Sequence, residues 1–210
     1  MTGRATQLFE AGLYADALIL FQESADRYRG EATRDPAQFE VALGTELYNV
    51  ALYLYQLRRY DEAVRVLQEA ARICEWYWQD DRGLNAFYAA VLASLAAGLG
   101  ELRQYQQAME ITNRVVLLRR ASSRPGSPII DADLARALRQ FAEVRARAGV
   151  ELDSALPAAT EAVTPYEQLL GASPQTYVGG LYASYEILAH LLDRLGRDHD
   201  AARVRAWLAP

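Results

Sequence analysis

Residues 47–63 read LYNVALYLYQLRRYDEA, two apolar-periodic runs joined by a short charged break. Leu47, Val50, Ala51, Leu54 and Leu57 recur with helical period. Two arginines interrupt the pattern, and Tyr60 opens a second amphipathic run, EAVRVLQEAARICEWYW. The stretch is therefore helix, tight turn, helix. The same order returns along the chain. GLYADALILF from Gly12, RRYDEAVRVL from Arg58 and RQYQQAMEIT from Arg103 each carry a tyrosine followed three residues later by alanine. These pairs are Tyr14 with Ala17, Tyr60 with Ala63 and Tyr105 with Ala108, and the tyrosines are 46 and 45 residues apart. Two further copies, GVELDSA from Gly149 and GRDHDAA from Gly196, lack the tyrosine but keep the frame, with their glycines 47 apart.

Upstream of each later turn the apolar pattern repeats: Leu92, Leu95, Ala96, Leu99 and Leu102; Leu138, Phe141, Ala142 and Ala148; Tyr185, Leu188, Ala189, Leu192 and Leu195. Breakers separate the copies, among them GEATRDP near residue 30, DDRGLN near 80, ASSRPGSP at 121–128 and GASPQT near 171. Nothing reads as a strand. A lone helical hairpin cannot bury both of its apolar faces, and stacking on neighbours completes the burial. The expectation is an all-α chain: a right-handed α-solenoid of about five stacked helix–turn–helix units, near 1–32, 36–80, 84–121, 131–170 and 176–210, forming one array. The end units are short, as frayed caps or as the edge of a longer array would be.

The bulk composition excludes most chemistry. Half of the residues are apolar and 23% are charged, ordinary values for a folded chain. A net charge of −5 argues against a nucleic-acid partner, because such binding rests on clustered cations. All 22 basic residues are arginine, so no lysine nucleophile exists. Cys74 is the single cysteine, which excludes an intrachain disulfide and a cysteine-based zinc cluster. His190 and His199 make a metal site improbable, and no cofactor loop or nucleophile elbow is present. The amino terminus lacks the apolar core of a signal peptide, and the longest uncharged run, 84–100, is 17 residues rich in alanine and glycine. The reading is a cytoplasmic, non-enzymatic protein without metal, cofactor or membrane contact.

At YNVALYLYQLRRYDEA the chain resembles the tetratricopeptide repeats: a small residue in mid-helix, a turn, an aromatic, then a small residue early in the second helix. Ala51, Tyr60 and Ala63 meet this pattern, as do Ala96, Tyr105 and Ala108. Ala142 with Ala155 and Ala189 with Ala202 meet it in degraded form. The period departs from the family's, which is about 34 residues. DLARALRQFAEVRARAG and LYASYEILAHLLDRLG are similar to the long-period repeats of actinobacterial regulatory proteins, where such arrays often follow a signalling NTPase domain. No phosphate-binding loop occurs in this sequence. The resemblance implies protein–protein binding, of a peptide or helix held in a concave groove; fold alone does not fix function.

A helical wheel places one face of each first helix toward that groove. It carries Thr45, Tyr48, Leu52, Tyr55 and Gln56, then Ala90, Ala93, Ala97, Gly100 and Glu101. The fourth unit contributes Arg136, Arg139, Glu143 and Arg147; the fifth contributes Ala183, Glu186, His190, Asp193 and Arg194. Tyrosines offer apolar area with a polar tip, and three arginines can converge on carboxylates, so an acidic peptide suits this face. Alternatively Arg139 and Glu143 form an ordinary pair one turn apart. Tyr60 reads as repeat scaffold and Tyr53 as packing against the preceding hairpin. Ile73 with Tyr77 and Cys74 with Trp78 share the buried face of their helix, whereas Trp76 falls on a charged stripe. It is an outer-face candidate for a second subunit or a neighbouring domain, or a cover for the inter-repeat loop. The rival to a peptide groove is a structural, self-associating or sensor segment of a larger signalling protein.

Overall fold

The computed structural model describes residues 8, 11–77, 82–122, 128–171 and 173–208. Trp78 lies outside these residues, as does the side chain of Tyr77. The described residues contain helices and no strand. In chain order the helices are α1 (Tyr14–Ala32), α2 (Pro36–Gln56), α3 (Tyr60–Tyr77), α4 (Arg82–Glu101) and α5 (Tyr105–Ser122). They continue with α6 (Pro128–Ala148), α7 (Leu152–Leu170), α8 (Pro174–Arg194) and α9 (Asp198–Ala206). The chain forms two compact units, residues 1–104 and 105–210. Within each, consecutive helices pack as antiparallel neighbours, and α2 touches α4 as α6 touches α8.

One turn geometry generates the repeat. Gly12, Arg58, Arg103, Gly149 and Gly196 all hold positive φ, between 57° and 74°. The next residue's N–H returns to a carbonyl five residues back: Leu13 to Leu8, Arg59 to Leu54, Gln104 to Leu99 and Arg197 to Leu192, each at 2.8 Å, and Val150 to Arg145 at 3.2 Å. This left-handed C-terminal closure satisfies the orphaned last carbonyls of a helix and reverses the chain. It recurs at 45 to 47 residues, the period seen in the sequence. At the opposite ends Asp35 caps α2 by accepting from the Gln38 N–H at 3.2 Å, with proline in the first turn.

The small residues mark where helices touch. Ala17, Ala63, Ala108, Ala155 and Ala201 are all completely buried. The fifth copy therefore differs from the sequence reading, because Ala201 takes the buried position and Ala202 is exposed. The fourth turn carries one extra residue before its helix, so counting from Gly149 to Ala155 overshoots by one in the fifth. Phe21 stacks on Tyr53 with ring centroids 5.1 Å apart, joining α1 to α2 as expected for Tyr53. In the second unit Ala142, Ala146, Ala155, Ala159, Val163, Tyr185, Leu188, Leu191, Leu192 and Ala201 form one apolar cluster.

A salt bridge recurs with the frame. The sixteenth residue of α1, Arg29, pairs with the tenth of α3, Glu69, at 3.2 Å. The sixteenth residue of α5, Arg120, pairs with the tenth of α7, Glu161, at 2.6 Å. Each bridge spans two successive second helices across the intervening first helix.

Candidate binding surfaces

In the first unit the face shared by α2 and α4 is mostly apolar. Leu52 is 41% exposed, with Tyr48 half-buried one turn away. Tyr48 meets the ring of Phe87 edge-on at 5.4 Å, which ties α2 to α4; Phe87 was not singled out in the sequence. Ala90, Ala93 and Ala97 lie half-buried along α4, and Thr45, Gln56 and Glu101 edge the patch. Gly100, expected on the floor, is buried, and its carbonyl accepts the Arg103 N–H in the turn at 3.1 Å. Tyr55 rests edge-on against Tyr60 at 5.0 Å, so it packs on a scaffold residue at the turn.

In the second unit the exposed stripe of α6 carries Arg136 and Arg147, with Gln140 and Glu143 half-buried between them. The arginines do not converge. Arg136 pairs with Asp133, which also takes Arg119 Nη1 at 3.2 Å. Arg139 reaches Glu143 one turn on at 3.4 Å, the ordinary pairing, while its Nε is buried without a hydrogen-bond partner among the described residues. The Arg147 guanidinium lies 6.0 Å from the Tyr105 ring centroid. Pairs of this kind on one helix contribute only about 0.2–0.5 kcal/mol, so an incoming carboxylate can displace them at small cost.

The matching stripe of α8 carries Tyr182, Glu186 and His190, all exposed; Tyr182 escaped the sequence reading. Asp193 pairs with Arg205 on α9. A cleft of about 390 Å³ is bounded by Glu186, His190, Asp193, Arg205 and Leu208. Arg194 donates to the Ala146 carbonyl at 3.1 Å, bracing the end of α6 as a structural contact. Trp76 is 80% exposed on α3, where the charged stripe placed it.

The sequence reading also passed over Arg145, although it sits one turn beyond Phe141 on the apolar stripe of α6. Its side chain is buried, with the guanidinium 3.5 Å from the Phe141 ring centroid. It donates to Glu151 at 2.9 Å, Asn113 at 2.8 Å and the Phe141 carbonyl at 3.3 Å. Burial lowers its pKa from the ordinary arginine value, and the Glu151 carboxylate opposes that shift. Glu151 itself holds a left-handed conformation, φ 51°, in the lengthened fourth turn. Among the described residues no cluster of three potential metal ligands occurs. No helix of the described residues is long and apolar enough to cross a membrane.

No family model matches the sequence, and no curated protein matches it. Solved structures do match in fold. A variant of a Podosopora anserina putative kinesin light chain with nearly identical TPR-like repeats aligns at 16% identity over 98% of this chain and 89% of its own, with a TM-score of 0.73. A second structure of that protein aligns at 16% identity over 97% and 89%, with a TM-score of 0.71. MamA 41-end from Desulfovibrio magneticus RS-1 aligns at 17% identity over 98% and 89%, with a TM-score of 0.56. The fold is therefore tetratricopeptide-like, an all-α array of helical hairpins.

Proposed function

We propose that this chain is a non-enzymatic protein-binding module of the cytoplasm that holds a peptide or partner helix against its first helices. The observation that carries the reading is the α2/α4 face of the first unit. Leu52 stands exposed there beside the Tyr48–Phe87 pair and a floor of alanines. The repeat closes its turns and buries its core without Leu52, and an apolar patch with a polar edge is the anatomy of a contact surface. The small alanine side chains let a partner backbone approach closely. On the α6/α8 face, Arg136 and Arg147 favour an acidic segment, while Glu186 opposes one, so the apolar face is the anchor.

The test is a pair of surface substitutions. Leu52→Arg is expected to abolish capture of the protein's partner from its own cells, with thermal unfolding unchanged. Ile19→Arg, on the exposed side of α1, is expected to leave capture intact. Equal capture by both variants and the parent would defeat the proposal. Trp76 supports a second reading, self-association or docking of a neighbouring domain through α3. Light scattering would then show an oligomer that Trp76→Ala dissolves; a concentration-independent monomer counts against self-association.

A further inference from the structure

The repeat supplies its own control experiment on the second-helix side. In the first unit a groove of about 260 Å³ lies between α1 and α3 over α2; in the second unit its counterpart, about 400 Å³, lies between α5 and α7 over α6. Every lining position of the smaller groove has its counterpart in the larger, which Ser154, Pro157 and Glu161 extend along α7. Gln22, Ala25, Asp26 and Arg29 of α1 become Asn113, Val116, Leu117 and Arg120 of α5. Val50 of α2 becomes Phe141 of α6, and Val66 of α3 becomes Ala158 of α7. The hairpin scaffold tolerates either set, so what differs is not dictated by packing.

Two differences concern ligand chemistry. Arg29 engages two carboxylates, Asp26 at 2.6 Å and Glu69 at 3.2 Å. Arg120 engages Glu161 at 2.6 Å, but the position of Asp26 is occupied by Leu117, which is 68% exposed. One carboxylate seat beside a half-exposed arginine is thus replaced by an apolar side chain at the groove's edge. At the other end, the side-chain oxygen of exposed Asn113 accepts from buried Arg145 at 2.8 Å, which leaves the NH₂ of that side chain as the donor. Between the two ends lies an apolar floor of Leu138 and Phe141, widened where alanine replaces valine. Asn113 and Arg120 are seven residues apart on one helix, so donor and cation are separated by about 10 Å.

We infer that the α5/α7 groove is a second docking site for a polypeptide segment that presents a bulky apolar side chain two residues from an aspartate or glutamate. A backbone carbonyl on the Asn113 amide, the apolar side chain over Phe141 and the carboxylate on Arg120 span about 10 Å, the length of three extended residues. The chain's charge pattern selects this occupant: Arg29 shows that an arginine at this position takes a second carboxylate. The site is walled by the second helices α5 and α7 and stands independently of the function proposed above.

The probe is the blocked tripeptide acetyl-Phe-Ala-Glu-amide, titrated into the full chain with ¹H–¹⁵N correlation spectra. Saturable shifts are expected at Leu117, Arg120, Phe141 and Ala158. Leu117→Asp supplies the missing carboxylate within the chain, and is expected to weaken binding about tenfold or more; Arg120→Gln is expected to do the same. The Gln analogue of the probe is expected to bind about fivefold more weakly than the Glu form. Both substitutions are on exposed side chains, and unchanged thermal melts verify the fold. Absence of saturable shifts, shifts confined to another surface, equal binding of the Glu and Gln probes, or undiminished binding by Leu117→Asp would each overturn the inference.

Discussion

Arg58 and Arg103 hold the left-handed backbone that glycine holds at the equivalent positions 12, 149 and 196. A β-carbon in this conformation costs about 1–2 kcal/mol. Arg58→Gly and Arg103→Gly should therefore each stabilise the chain by about 1 kcal/mol, less the extra entropy glycine gains in the unfolded state. Urea unfolding checks this, and a loss of stability would mean that the arginine side chains contribute contacts worth more than the strain. Arg145 and Glu151 make the converse case. Glu151→Ala leaves a buried guanidinium without its carboxylate and should destabilise by about 2–3 kcal/mol, discounted for the exposure of Glu151. Arg145→Met removes the charge together with the need to neutralise it, and should cost less in the same urea titration. The sequence carries the signal for Arg145, an arginine on an apolar stripe, but which acceptors meet it depends on α5 and the turn folding around it.

Helices α3 and α4 show how closely the elements meet. A Cβ at Gly98 would lie 2.8 Å from Val64 Cγ2. Gly98→Ala should therefore destabilise by about 1 kcal/mol despite the better helix propensity of alanine. In a Val64→Ala background the same change should turn stabilising, and that reversal in a double-mutant cycle is the readout. Cys74, also on α3, is buried, and burial pushes its thiol up from 9.0 to about 11. The Tyr185 phenol of α8, buried and donating to Glu167, is pushed up from 10.0 to about 12. For both groups the folded state holds the proton longer than the unfolded chain. Their contribution is intact below pH 9 and declines as pH rises through 11 and 12. The thermal midpoint should fall over that range, and Cys74→Ala should remove the earlier part of the decline. A flat alkaline profile would mean that neither group is as enclosed as its contacts imply.

At the scale of the whole molecule, the fold is legible because it is periodic. Tyr60, Ala63 and the apolar stripe before Arg58 specify one hairpin, and four further copies of the turn keep the frame. The likeness to tetratricopeptide-like structures at 16–17% identity agrees with that reading. The binding surfaces are less legible, because a helical wheel reports direction and not neighbours. It puts Tyr48 and Tyr55 on one stripe, yet Tyr48 meets Phe87 of the next first helix and Tyr55 meets its own turn tyrosine. It groups Arg136, Arg139 and Arg147 as a cluster, but the carboxylates of Asp133 and Glu143 on the same helix claim the first two. It cannot reveal Phe87 or Tyr182, whose roles depend on what stands beside them.

If the exposed first-helix face of the first unit receives a polypeptide, as proposed, the side chain at position 52 lies within reach of that partner. The most direct measurement places a photo-cross-linking amino acid at position 52, and separately at position 19, in the protein's own cells. A covalent adduct of defined mass from position 52 and none from position 19 is the predicted result. Adducts from position 19 alone, or from neither position, would mean that the α2/α4 face does not hold a partner.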